Sequence, residues 1–98
     1  MGLKNKSASE LLFIMLGGYG TFPVSGTEKI SQKSFGFEAD EDSVIASILD
    51  ENGLERISDI GRSGKTIKAG KEIYFGFEAY SITLASGSGE GYRTESPF

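Results

Sequence analysis

Three residue groupings in this chain have types and spacings that could do chemistry. Gly64-Lys65-Thr66 is the tail of a phosphate-binding loop, in which backbone N–H groups and a Lys hold phosphate oxygens. The full pattern wants its first Gly at position 59, where this chain has Asp59, and a helix must follow to present its N-terminus. Thr66-Ile67-Lys68-Ala69-Gly70 is no helix start, so a hairpin loop with a solvated Lys65 is expected. Glu38, Asp40, Glu41 and Asp42 form an acidic cluster of the kind that holds Ca²⁺, without the ligand alternation of an EF-hand loop. A solvated acidic turn is the simpler expectation, with an irregular cation site as the alternative. Glu38 and Glu78 occupy the same position in two repeated segments and are the obvious pair for glycoside hydrolysis. Both lie on the polar face of their segment, so outward, solvated glutamates are expected.

No further catalytic grouping follows. The chain has no His and no Cys, which removes the commonest general base, the commonest transition-metal ligand, thiolate sites and disulfides. No catalytic, cofactor-binding or metal residue is therefore assigned, and no enzyme is expected. The formal charge of −4 argues against nucleic acid as the main partner. Arg62, Lys65, Lys68 and Lys71 make a local basic stretch that could meet an acidic surface, such as the Asp40–Asp42 turn of a neighbouring copy. Tyr19, Phe22, Tyr74, Tyr80 and Tyr92 could form an aromatic platform for sugar stacking, against core or cross-strand packing as the plainer role.

The elements that must position these groups are organised by a repeat. Phe-Gly-Phe-Glu-Ala occurs at 35–39 and again at 75–79, followed by Val44-Ile45-Ala46-Ser47 and Thr83-Leu84-Ala85-Ser86. Two copies of one small β unit folded onto each other are expected, with the Phe35/Phe37 and Phe75/Phe77 faces meeting in the core. Ninety-eight residues with 14 Gly and two Pro read as one turn-rich β domain, an all-β sandwich or barrel with two pseudo-equivalent halves.

Taken in order, residues 1–9 read as a polar arm and Leu11–Leu16 as a buried strand. No run is long enough to span a bilayer. The apolar stretch is short for a signal peptide, and Gly17-Gly18-Tyr19-Gly20 is a poor cleavage site. Gly17–Pro23 reads as a long turn and Ile30–Ala39 as the first repeat strand. Asp42 could cap a helix over Val44–Leu49, but the repeat favours a strand. Asp50-Glu51-Asn52-Gly53 reads as a hairpin turn with Gly53 in the left-handed position, with further short strands over Leu54–Ile60 and Thr66–Ala69. From Ile73 to Ala79 the apolar residues sit at odd positions, and from Tyr80 to Leu84 at even ones, so a bulge or bend is predicted near Glu78–Tyr80. Gly87–Gly91 reads as a loop and 94–98 as an extended tail.

The phrases Ser63-Gly64-Lys65-Thr66-Ile67-Lys68-Ala69-Gly70-Lys71-Glu72-Ile73-Tyr74, Tyr80-Ser81-Ile82-Thr83-Leu84-Ala85-Ser86-Gly87 and Gly18-Tyr19-Gly20-Thr21-Phe22-Pro23-Val24-Ser25-Gly26 resemble those of small β-rich virion proteins of tailed bacteriophages. The likeness covers about the last seventy-five residues and is carried by short turn-and-strand phrases. It implies a non-catalytic structural subunit of the virion: a capsid decoration, head-fibre or tail-associated protein. Such a subunit would self-associate as a homo-oligomer and dock on a major capsid or tail protein, with no nucleic acid or membrane partner. A small β-sandwich module binding host glycan or another surface ligand is the alternative. Ile67-x-Ala69-Gly70-x-x-Ile73 also resembles cupin turns, whose metal sites need the His that this chain lacks.

Overall fold

The computed structural model describes Ser9 and residues 18–94. The strand expected over Leu11–Leu16, most of the arm and the tail from 95 onward lie outside the described residues. The described chain is an all-β sandwich of two antiparallel sheets. Seven strands build it: β1 (Thr21–Ser25), β2 (Ser34–Ala39), β3 (Ser43–Leu49), β4 (Thr66–Ile67), β5 (Glu72–Ala79), β6 (Ser81–Ser86) and β7 (Ser88–Arg93). Sheet A runs β1-β7-β2-β5 and sheet B runs β4-β3-β6. Among the described residues, no helix is long and apolar enough to cross a membrane.

The repeat is real in topology but not in the expected contact. Each copy places one strand in sheet A and the next in sheet B: β2 then β3, β5 then β6. The copies pair edge to edge, β2 with β5 and β3 with β6, instead of facing each other across the core. The bend predicted near Glu78–Tyr80 is where the chain leaves one sheet for the other. β5 ends at Ala79, Tyr80 turns with its N–H donated to the Leu49 carbonyl (2.7 Å), and β6 starts at Ser81. That crossing is why the buried parity changes. Residues 40–42 make the same crossing in the first copy.

Phe37, Phe75, Ile45, Ile48, Ile82 and Leu84 all belong to the core between the sheets. Phe77 is half-buried against it, its ring stacked on Phe75. Phe35 does not join them. The β2 register slips between Ser34 and Gly36, and the Phe35 ring packs on Tyr74 at 5.9 Å between centroids. A bulge residue is released from the alternation on either side of it.

Three other expectations are corrected. Gly87–Gly91 is not a loop: Ser88–Arg93 is a strand inside sheet A, between β1 and β2. Its inward positions are Gly89 and Gly91, and the Phe37 and Phe22 rings fill the space that side chains there would take. The turn drawn to Pro23 stops earlier, since Thr21–Ser25 is a strand. Pro23 is tolerated because β1 is an edge. Leu54–Ile60 is no strand either; Ile57–Ile60 is a 3₁₀ turn. Beyond the two-residue β4, the open side of β3 is closed by a side chain. The Glu55 carboxylate accepts from Ile48 N (2.7 Å) and Ser47 Oγ (2.5 Å), and Arg56 N donates to the Ile48 carbonyl (2.8 Å). Backbone groups that lack a ladder partner must find another.

The Asp50–Gly53 turn forms as read. Asp50 Oδ1 accepts from Asn52 N and Leu54 N, and Gly53 takes φ of 75°. Arg56 then bridges Asp50 and Asp59 and covers the Phe77 ring.

Candidate binding face

The outer face of sheet A gathers charge that is far apart in sequence. Glu38 on β2 stands opposite Glu72 on β5 and also opposite Glu90 on β7. Three carboxylates thus form one in-register row across three neighbouring strands. Like charges directly opposite each other in a sheet are destabilising. Asp40 adds a fourth acid at the end of β2, and one carboxylate oxygen each of Glu38, Asp40 and Glu90 lie within 4.8 Å of one another. Partial burial raises the Glu38 pKa, and Glu72, Glu90 and Asp40 raise it further. Of the row, Glu90 accepts from Thr21 Oγ1 (2.8 Å) and Glu72 from the Tyr74 hydroxyl (2.7 Å). No ion pair neutralises the row among the described residues.

The next outward row along the same strands is aromatic. Tyr92 and Tyr74 flank Gly36, and their rings stack across it with centroids 6.0 Å apart. Gly36 is required there because a Cβ would meet the Ile73 carbonyl at 2.6 Å and both rings. Burial, then the Glu72 hydrogen bond, push the Tyr74 phenol up to about 12. Burial and the same carboxylates raise Tyr92 as well.

The residues singled out from sequence are redistributed by the fold. The acidic cluster at 38–42 is split. Asp42 accepts from Ala69 N (3.0 Å) and pairs with Lys68 (3.3 Å), Glu41 accepts from Ser88 Oγ, and only Glu38 and Asp40 face the row. The basic stretch therefore meets the acidic turn partly within one chain. Glu38 and Glu78 do not form a pair on one face. Glu78 is buried, with Oε2 accepting from the Thr94 hydroxyl and Oε1 without a partner, which corrects its expected solvation. Thr94, drawn as the first tail residue, is itself fully buried. Gly64-Lys65-Thr66 is a turn running into β4 with Lys65 exposed as expected, but it joins the 3₁₀ segment to β4 and is not the hairpin loop read from the sequence. The five-ring platform is not assembled. Phe22 is core, the Tyr80 ring lies under Lys33, and exposed Tyr74 stacks on Tyr92, which is itself buried, so cross-strand packing is the role these two rings show. Sequence reading missed Glu72 and Glu90, whose significance depends on strand register.

Comparison with protein-family models, curated proteins and solved structures found no match. The fold and this face define a small all-β sandwich with a charged, aromatic-flanked sheet surface.

Proposed function

We propose that this chain is a non-catalytic structural subunit that works by self-association and docking. The sequence resemblance supports a place in a tailed-bacteriophage virion, as a capsid decoration, head-fibre or tail-associated protein. The observation that carries the self-association reading is the un-neutralised carboxylate row Glu72–Glu38–Glu90 on an accessible sheet face. Such a row costs the isolated domain stability, and a docked cationic surface offsets that cost. Three other acids near turns serve the fold instead: Asp50, Glu55 and Asp42 satisfy backbone N–H groups.

The test is sedimentation of the purified chain across concentration, together with protein mass spectrometry of purified particles. Mass rising with concentration and multiple copies per particle are expected. A chain that stays monomeric throughout and is absent from particles overturns the reading.

A second reading, binding of host glycan, is favoured by the exposed Tyr74 ring, backed by buried Tyr92 and set beside Glu72, since sugars pair an apolar face with hydroxyl donors. Glycan-array binding lost in Tyr74→Ala and kept in Tyr80→Ala, with the fold intact in both, supports it over self-association.

A further inference from the structure

Arg62 and Lys65 frame a tight turn between the 3₁₀ segment and β4, closed by Lys65 N donating to the Arg62 carbonyl (3.1 Å). Neither makes an ion pair among the described residues, whereas Lys68 is held by Asp42 and Arg56 by Asp50 and Asp59. Lys65 is exposed and Arg62 half-exposed. This turn belongs to the sheet B side of the sandwich, leading into β4. The carboxylate row belongs to the outer face of sheet A, and every charged group that perturbs Glu38 is another acid. The chain therefore carries an acidic sheet face and a cationic turn that it does not bring together.

We infer that the Glu72–Glu38–Glu90 face receives the Arg62–Lys65 turn of a second copy of this chain. This inference rests on the self-association reading and names its contact. Charge complementarity calls for a cationic occupant. Lys29 and Lys71 are also exposed without an ion pair among the described residues, but Arg62 and Lys65 are two cations held together by one closed turn, and their spacing fits. Neighbouring strands are about 4.8 Å apart, so the row has two gaps between carboxylates at that separation. Residues i and i+3 of a tight turn have Cα atoms within about 7 Å, which lets two cationic heads enter adjacent gaps. Arg62 can bind two carboxylates through its planar fork, and Lys65 acts as a point charge. Because donor and acceptor lie on different layers, the contact is head-to-tail. It propagates into a ring or a filament instead of stopping at a symmetric pair.

The experiment is light scattering and sedimentation of the full chain at low and high salt, with Glu38→Gln/Glu90→Gln and Arg62→Glu/Lys65→Glu double variants. Each substitution is at the surface or relieves repulsion, and circular dichroism with a thermal melt confirms that each variant folds. Each double variant is expected to weaken association at low salt by about tenfold or more, and high salt does the same to the parent chain. Mixing the two variants restores one heterodimeric contact and no larger species, because one retains the turn and the other the face. Association unchanged in both variants overturns the inference while leaving self-association standing. A parent chain monomeric at every concentration overturns both. Association that requires added Ca²⁺ and survives Arg62→Glu/Lys65→Glu assigns the row to cation bridging and overturns the docked turn.

Discussion

Ile45 of β3 stands directly opposite Leu84 of β6, and the two are equivalent positions of the internal repeat. An antiparallel pair that joins a residue to its own counterpart marks a pseudo-twofold relation between the copies. In sheet B the relation runs through this pair, and in sheet A the copies meet again as β2 against β5. The doubled unit therefore builds the sandwich by pairing edges twice, once per layer. That removes two edges that a single copy would leave open.

Both side chains of that pair are almost fully buried. Ile45→Ala or Leu84→Ala is expected to cost about 2–5 kcal/mol, the range for emptying a packed core site. That is a large part of the total for a domain this small. Because the residues are cross-strand neighbours, the double variant departs from additivity by about 0.5–3 kcal/mol. Urea unfolding of the four proteins of the cycle checks both numbers. Additive losses would mean that the two sites do not pack on each other.

The carboxylates predict opposite pH responses from Glu38 and Asp50. Glu38 has a raised pKa in the folded chain, so the folded state holds its proton more tightly than the unfolded state. Its contribution is full below the ordinary value of 4.5 and is lost as pH rises through the raised value. Glu38→Gln is therefore expected to raise the melting temperature at neutral pH and to leave it little changed in acid. Asp50 has a lowered pKa, first through the Leu54 N–H bond. Its contribution is present above 3.8 and is lost as pH falls through the lowered value. Asp50→Asn is thus expected to lower stability at neutral pH and to converge with the parent chain in acid. Melting curves across a pH series separate the two slopes.

Tyr74 offers a spectroscopic reporter of the same face. Its phenol is expected to ionise at about 12, because burial and the bond to Glu72 both disfavour the phenolate. The difference in phenolate absorbance between the parent chain and Tyr74→Phe isolates this group. Glu72→Gln removes a negative neighbour and should move the midpoint down. A midpoint that does not respond to Glu72→Gln would place the two side chains apart.

Much of the fold is legible in the alternation of Phe37, Phe75, Ile82 and Leu84, since a half-buried strand shows its inner face every second residue. The parity change after Ala79 likewise reads as a bend, and the sheet crossing is its cause. What escapes sequence reading is compensation at a distance. Gly89 and Gly91 look like loop residues until the Phe22 and Phe37 rings over them are known. Glu55 looks like part of a strand because nothing local says that its carboxylate replaces one beside Ile48. The binding face is the least legible part. Glu38, Glu72 and Glu90 align only through the β5–β2–β7 register, which no local pattern around any of the three encodes.

Gly91 is the sharpest test of how sheet A is filled. It stands opposite Phe22 on one side and Phe37 on the other, so one inward row reads Phe22–Gly91–Phe37–Ile73. A Cβ at Gly91 would lie 2.3 Å from Phe22 Cζ and 2.7 Å from two further ring carbons. Phe22 is fully buried and cannot swing away without leaving the core. Gly91→Ala is therefore expected to destabilise by about 1–3 kcal/mol through overpacking. The origin of the loss is testable by shrinking the ring. In a Phe22→Leu background, which is itself destabilised, adding Gly91→Ala should cost much less, because the space it needs has been vacated. A penalty for Gly91→Ala that is the same in both backgrounds would locate the cost in the β7 backbone and not in the ring above it.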